Sequence, residues 1–339
     1  MSVDRLLLLG HRGGTHVGES LLQAGLGLGL QIEFVDAAAA FAGPWWRRQW
    51  QWRLRGHRPT QLERFSTVLE AQILAAGQRR LLCTGAAPLT AASLKRLRAA
   101  GVHSLNFSTD DPFNPVHRAP WHLAALREYD VVCTPRSRNL DDLRALGCRR
   151  VERLWFGYDP RHCVGEAPSS AMFAAACRQV LMVGGADPDR RPFAEALIAA
   201  GLEVALYGGY WERWPRTRPH ARGLTDPQQL RLQTAASAIS VGLVRRANRD
   251  GHVMRSLEIG ASGGCMVAED TPEHRELFGP DDSCVRYFRT PTELAEVCRM
   301  LLADSAARQR LRTALQARIV GGRHTYADRL RQMLEWLPA

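Results

Sequence analysis

Along almost its whole length this chain alternates short apolar runs with longer amphipathic stretches, and few folds accept that alternation. A strand buried on both faces reads as a near-continuous apolar run, and a parallel neighbour is reached only through a crossover, usually a helix. Six such runs come first: Arg5 to Leu9, Gln31 to Val35, Arg80 to Cys83, Ser104 to Phe107, Asp130 to Cys133 and Val151 to Leu154. A second series begins near Val180, with Val180 to Val183, Glu203 to Tyr207, Ala238 to Val241, Cys265 to Ala268 and Cys284 to Tyr287. Helical stretches lie between these runs, and two more follow near Pro291 to Leu302 and Ala306 to Ile319. Gly157 to Ser170 separates the series and holds Gly, Pro and Ser without a sustained period, as a hinge should. The pattern predicts an α/β protein of two Rossmann-like domains with parallel sheets, residues 1–157 and 171–322, joined by a hinge at 158–170. Internal repeats and low-complexity tracts are absent from the sequence.

At 339 residues and 45% apolar content, two domains of ordinary size can each bury a core. The formal charge is +11, and Lys95 is the only lysine. Such an arginine excess fits phosphate-bearing ligands, anionic membranes or nucleic acid, because the planar guanidinium pairs with phosphate oxygens; genomic base composition produces the same bias. The eight cysteines are scattered with no C-x-x-C, and read as reduced core residues instead of disulfides or zinc ligands. Leu6 to Leu9 is too short for a signal-peptide core, and no run approaches the ~20 apolar residues that span a bilayer. These features predict a cytoplasmic protein.

Chemistry concentrates between Asp250 and Phe278, in DGHVMRSLEIGASGGCMVAEDTPEHRELF. Asp250 and Glu258 lie within ~80° of each other if both are helical; if Asp250 is in the preceding loop, its carboxylate reaches past the helix start instead. Carboxylates accept hydrogen bonds from vicinal hydroxyls of a ribose or hexose, and Arg255 between them can neutralise a diphosphate. An amphipathic helix with ordinary surface charges has the same spacing.

Arg255, Leu257-Glu258, Ala261, Gly263-Gly264, the run from Cys265 to Ala268, Glu269 and His274-Arg275-Glu276-Leu277-Phe278 resemble the CgeB-like, spore-maturation-type branch of the group 1 glycosyltransferases. His324-Thr325-Tyr326 and Arg329 extend the resemblance to the tail, so it covers nearly the whole chain. It implies the GT-B architecture, two Rossmann-like domains whose parallel sheets face a cleft, with a last helix within 323–339 returning to the first domain. It also implies a sugar transferred from a nucleoside diphosphate donor to an acceptor hydroxyl, with no cofactor beyond that donor and no obligatory metal. Glu258 stands where the related retaining enzymes have the second acid of E-x7-E and would hold the ribose; Asp250 stands at the first and would hold the donor sugar. Gly263 and Gly264 join the donor set by the same resemblance. Asp in place of Glu at 250 shortens the reach by one methylene, which bears on the donor sugar and on retention.

Ligands of open α/β sheets sit beyond the carboxyl ends of strands, which draws attention to three more loops. Gly10 to Gly18 follows the first strand, where glycines admit a ligand to the backbone and a helix amino end offers N–H groups to an anion. It lacks G-x-G-x-x-G spacing and reads equally as a plain turn; the resemblance makes Gly13, Gly14 and His16 contacts for donor phosphate or acceptor. Asn106-Phe107-Ser108-Thr109-Asp110-Asp111-Pro112 runs a strand into two carboxylates, either of which can take a proton from an acceptor hydroxyl or cap a turn. Asp110 is preferred. In the second domain, Gly184-Gly185-Ala186-Asp187-Pro188-Asp189-Arg190-Arg191 places basic residues at a helix start, where Gly184 and either Arg190 or Arg191 would stabilise a departing diphosphate. Asp187 and Asp189 could also be read as a metal-binding D-x-D, but two isolated acids make little of a motif. His274, Glu269 and Tyr207 are secondary candidates that a cap or a turn explains as well.

Trp45 to Arg55 mixes four tryptophans with arginines, as interfacial membrane segments and nucleic-acid surfaces do. The preferred reading is a helix whose tryptophans pack inward; an exposed patch would instead bring the protein to the inner face of an anionic membrane. Nucleic acid is not an expected partner. The acceptor class stays open among glycans, lipid-linked molecules, proteins and small molecules. Two other functions share these residues: a GT-B-like sugar-nucleotide epimerase, and a non-catalytic binding protein with a basic surface.

Overall fold

The structure, a computed structural model, describes residues 5–338 and contains two six-stranded, all-parallel sheets. The first comprises β1 (Arg5–Gly10), β2 (Gln31–Asp36), β3 (Arg80–Thr84), β4 (His103–Phe107), β5 (Val131–Thr134) and β6 (Val151–Arg153), in the order β2-β1-β3-β4-β5-β6. The second comprises β7 (Val180–Val183), β8 (Val204–Tyr207), β9 (Ala221–Gly223), β10 (Ile239–Gly242), β11 (Met266–Glu269) and β12 (Arg286–Phe288), in the order β12-β11-β10-β7-β8-β9. Every expected run overlaps an observed strand. The edge strand β9 was not in the expected set, because Ala-Arg-Gly carries no apolar run to announce it.

One unit runs to Trp155 and takes in Ala247–Arg249 and the segment from Tyr326; the other comprises Phe156–Arg246 and Asp250–Thr325. The stretch expected as a hinge, 158–170, lies in the second unit and contains the helix Pro160–Cys163, whose start is fixed by the Asp159 carboxylate accepting from the Arg161 N–H at 3.0 Å. The helix Tyr326–Glu335 packs on Val17–Gly27 in the first unit, where a Cβ on Gly25 would meet Leu330 at 3.2 Å.

Leu6 to Leu9 are almost wholly buried in the first unit, and Val180, Ile239, Val267 and Phe288 sit in the core of the second. Helices start where a short polar cap precedes proline: Asp226 accepts from Gln229, Thr271 from His274 and Thr290 from Glu293, each with Pro in the first turn. Such caps satisfy donors that a helix start leaves open, and proline there forfeits no hydrogen bond. In each sheet the strand order reverses beside the first strand, at β1/β3 and at β7/β10, which opens a crevice between the loops that follow.

Candidate functional site

In the first unit the loops after β1, β3 and β4 surround a cavity of about 380 Å³, lined among others by His11, His16, Thr84, Ser108, Asp110 and Trp121. It lies at the reversal of strand order, where the chain has no choice but to part. Gly13 and Gly14 take φ of 81° and 55° with open space beyond their Cα atoms, so the turn after β1 stays uncrowded. His16 ends that turn as the cap position of Val17–Gly27, and its imidazole makes no capping bond. Burial, with His16 5.5 Å away between ring centroids, lowers the His11 pKa against the opposing pull of Asp36. Burial alone takes His122 down to about 4, so it lines the cavity as a neutral ring.

The two adjacent aspartates separate. Asp111 is 1% exposed and accepts from Arg249 Nε at 2.6 Å and Nη2 at 2.9 Å, from Asn139 at 3.1 Å and from the Phe113 N–H at 3.0 Å. Asp110 is exposed at the cavity and accepts from Asn248 Nδ2 at 3.1 Å. Asp111 holds the loop, while Asp110 lines the cavity.

In the second unit the loops after β7 and β10 bring Arg245 and Asp250 within electrostatic reach of Arg190, and the Asp250 N–H donates to the Arg245 carbonyl at 3.2 Å. The Asp187 carboxylate accepts from the Arg190 N–H at 2.7 Å and pairs with its guanidinium at 3.3 Å, so the first acid of the D-x-D is spent on the loop itself. The Arg190 side chain is only 16% exposed; burial is the main cause that lowers its pKa, and Arg245 lowers it further while Asp187 and Asp250 oppose. A Cβ on Gly184 would strike the Arg190 guanidinium at 2.8 Å, and one on Gly208 would overlap the Gly184 carbonyl. Those two glycines let the loops after β7 and β8 close on each other, and Trp211 Nε1 donates to the Gly184 carbonyl at 2.8 Å. Arg191 turns elsewhere, with its guanidinium 4.2 Å from the Trp214 ring and 3.5 Å from Glu195, so of the paired candidates Arg190 is the one in the group.

Asp250 lies in the loop before the helix Met254–Ala261, 8% exposed. The loop is braced from β11 and the helix Pro272–Phe278: His252 Nδ1 is 2.6 Å from Glu273, and its Nε2 accepts from the Phe156 N–H at 3.4 Å. That pattern makes His252 the Nδ1–H tautomer, donating to the carboxylate. His274 is fully buried between the Glu269 carbonyl and Ser256, with its pKa held at about 4 chiefly by burial. Glu269 accepts from the Val244 N–H and from Arg246. His274 and Glu269 therefore support the loops instead of facing a ligand.

Arg255 and Glu258 pair with each other at 3.1 Å along the helix, beside Cys163, so Arg255 reaches an anion only by sharing it with Glu258. Gly263 and Gly264 do not join the group. They precede β11 and so lie at the amino end of the sheet, opposite the loops that carry Arg190 and Asp250; a Cβ on Gly264 would meet Ile259 and Thr234 at 2.9 Å. Gly263 is required by its φ of 74° and Gly264 by packing, a correction to the donor role expected of them. Arg245 was missed by sequence reasoning, and no spacing announced it.

Residues 190–335 match the family model described as glycosyl transferase-like. A search of curated proteins finds no match. Among solved structures, sucrose-phosphate synthase from Thermosynechococcus elongatus superposes with a TM-score of 0.70 at 13% identity, over 98% of both chains. A trehalose-6-phosphate structure from E. coli, bound with UDP-2-fluoro glucose, gives 0.67 at 14% identity over 98% of this chain and 99% of that one. Trehalose 6-phosphate synthase from Burkholderia multivorans gives 0.66 at 14%, over 99% and 96%. At these identities the likeness shows fold, and the family match adds a similarity confined to residues 190–335. The chain as a whole has a GT-B-like fold of two parallel-sheet units, and its residues 190–335 are similar to a glycosyl transferase-like domain.

Proposed function

We propose that the second unit binds a nucleoside diphosphate sugar and that the sugar passes, with retention and without an obligatory metal, to an acceptor hydroxyl held by the first. The observation that carries this is the grouping of Arg190, Arg245 and Asp250 at the β7/β10 reversal. Two guanidiniums that repel each other gain when a dianion comes between them, and gain more as charge grows on the departing diphosphate. That supplies the stabilisation a metal would otherwise provide. Asp250 accepts from the sugar hydroxyls, and Glu258 from the ribose. On the first unit, Asp110 and His16 line a cavity large enough for a sugar-sized acceptor, and either can take the hydroxyl's proton. The CgeB-like branch remains the subtype the sequence resembles. All eight cysteines are unpaired, which supports a reducing, cytoplasmic setting.

The E. coli structure bound with UDP-2-fluoro glucose makes uridine nucleotides the first to try. Thermal shift with UDP and UDP-glucose, then with the guanosine and adenosine counterparts, should show one base raising the melting temperature. Arg190→Ala should weaken that ligand about thirtyfold or more, in line with ~2 kcal/mol or more for truncating one partner of a buried charge pair. A shift of equal size in the variant removes Arg190 from the diphosphate. Analysis of the anomeric product tests retention, and an isomerised donor formed without acceptor would favour the epimerase.

A further inference from the structure

The helix Trp45–Leu54 contradicts the inward packing expected of its tryptophans, and its exposure gives it a use. Gln51 is its one buried residue. At ~100° per residue, Trp45, Trp46, Trp50 and Trp52 all fall on the half of the helix turned away from Gln51, with Gln49 and Arg53 among them. Their exposures are 70%, 61%, 45% and 44%, and Leu54, about 60° from Gln51, is 73% exposed, so the protein covers little of the helix beyond Gln51. Arg47, Arg48 and Arg55 flank that face and are exposed too, and no acid occurs between Ala37 and Leu62.

We infer that this helix is a docking surface for an anionic lipid bilayer, its indoles seated at the headgroup level and its arginines against the phosphates. Indole rings combine an apolar body with an N–H and partition to that depth, and a helix with aromatic outward residues and flanking cations lies in the interface plane. Net positive charge disfavours a second copy of the same face as the occupant, since like charges would meet. Indoles projecting from one helix face also differ from the charged groove in which single-stranded nucleic acid stacks. Trp52 lines the cavity that holds Asp110, so docking sets that cavity beside the headgroups and makes a membrane-borne acceptor accessible to it. The docking itself does not rest on the transferase reading, because it is read out with no donor present.

The test uses the full chain with vesicles of phosphatidylcholine, alone or mixed with phosphatidylserine, followed by sedimentation and tryptophan emission. Binding should favour the mixed vesicles, shift the emission to the blue and decline as sodium chloride is raised. Arg47→Glu/Arg48→Glu should weaken it by at least about thirtyfold, because each arginine near an anionic surface strengthens binding about fivefold. Trp45→Ser/Trp46→Ser/Trp50→Ser, at exposed positions, should keep the wild-type melting temperature and lose the vesicles. Equal binding by the wild type and the triple variant, no binding to the mixed vesicles, or salt-sensitive binding to random DNA in place of vesicles would each overturn the inference. So would self-association that the triple variant abolishes without any vesicle binding.

Discussion

Asp110 and Asp111 share a chemistry and a loop, yet their surroundings assign them different work. Asp111 spends its oxygens on Arg249, Asn139 and a backbone N–H inside the protein, whereas Asp110 faces the cavity. Asp110→Asn should therefore leave folding and nucleotide binding unchanged while lowering turnover about 10²-fold or more, the usual scale of a lost acid–base group. Asp111→Ala strands several donors and should lower stability by about 2–3 kcal/mol, seen as a lower melting temperature. Full activity in the first variant would dismiss Asp110 from the chemistry; an unchanged melting temperature in the second would dismiss the loop-holding role of Asp111. The sequence made both acids visible because they follow an apolar strand into proline. It could not separate them, since the separation depends on Arg249 and Asn248, more than a hundred residues away. Arg245 was hidden for a related reason: one arginine among many acquires meaning only when β10 is known to lie against β7.

At the scale of elements, strands and helix starts were legible because their signals are local: apolar runs for the strands, and caps followed by proline for the helices. The direction in which an element faces was not local. The helix Trp45–Leu54 has tryptophans and arginines on so many sides that its sequence does not say which side the protein covers, and the glycines before β11 could not be told from ligand-facing glycines until the sheet gave them an end. The loop carrying Asp250 shows how a supporting element can matter as much as the ligand-facing residue. A Cβ on Gly251 would come within 2.5 Å of the Glu273 carboxyl carbon, and Glu273 is the partner that fixes His252. Gly251→Ala should push Glu273 away, release His252 and shift Asp250, weakening donor binding although no ligand-facing atom has changed. Titrating the preferred nucleotide sugar against the variant checks this; affinity equal to wild type would mean that the brace yields without moving the loop.

Each of the two units carries a buried histidine whose pKa is held at about 4, His122 in the first and His274 in the second. Unfolding returns them to the ordinary value near 6.5, so between these limits the unfolded chain binds more protons than the native one. Their contribution is complete above pH 6.5 and is lost as pH falls through about 4, with a slope of up to ~1.4 kcal/mol per pH unit for each ring. Carboxylates act lower down. Asp270 and Glu70 have depressed pKa values, chiefly through hydrogen bonds from Arg275 and Arg96, so their contributions hold above the usual carboxylate range and fade only as pH drops through it. The interval from about 6.5 to 4.5 thus includes the titration of both rings, and His11, whose pKa burial also lowers, adds to the same fall. Melting temperatures measured across it should fall with acidification, and His274→Gln, which can still donate to the Glu269 carbonyl or meet Ser256, should flatten part of the fall. If wild type and variant decline in parallel, protonation of His274 is not what acid exploits in the second unit.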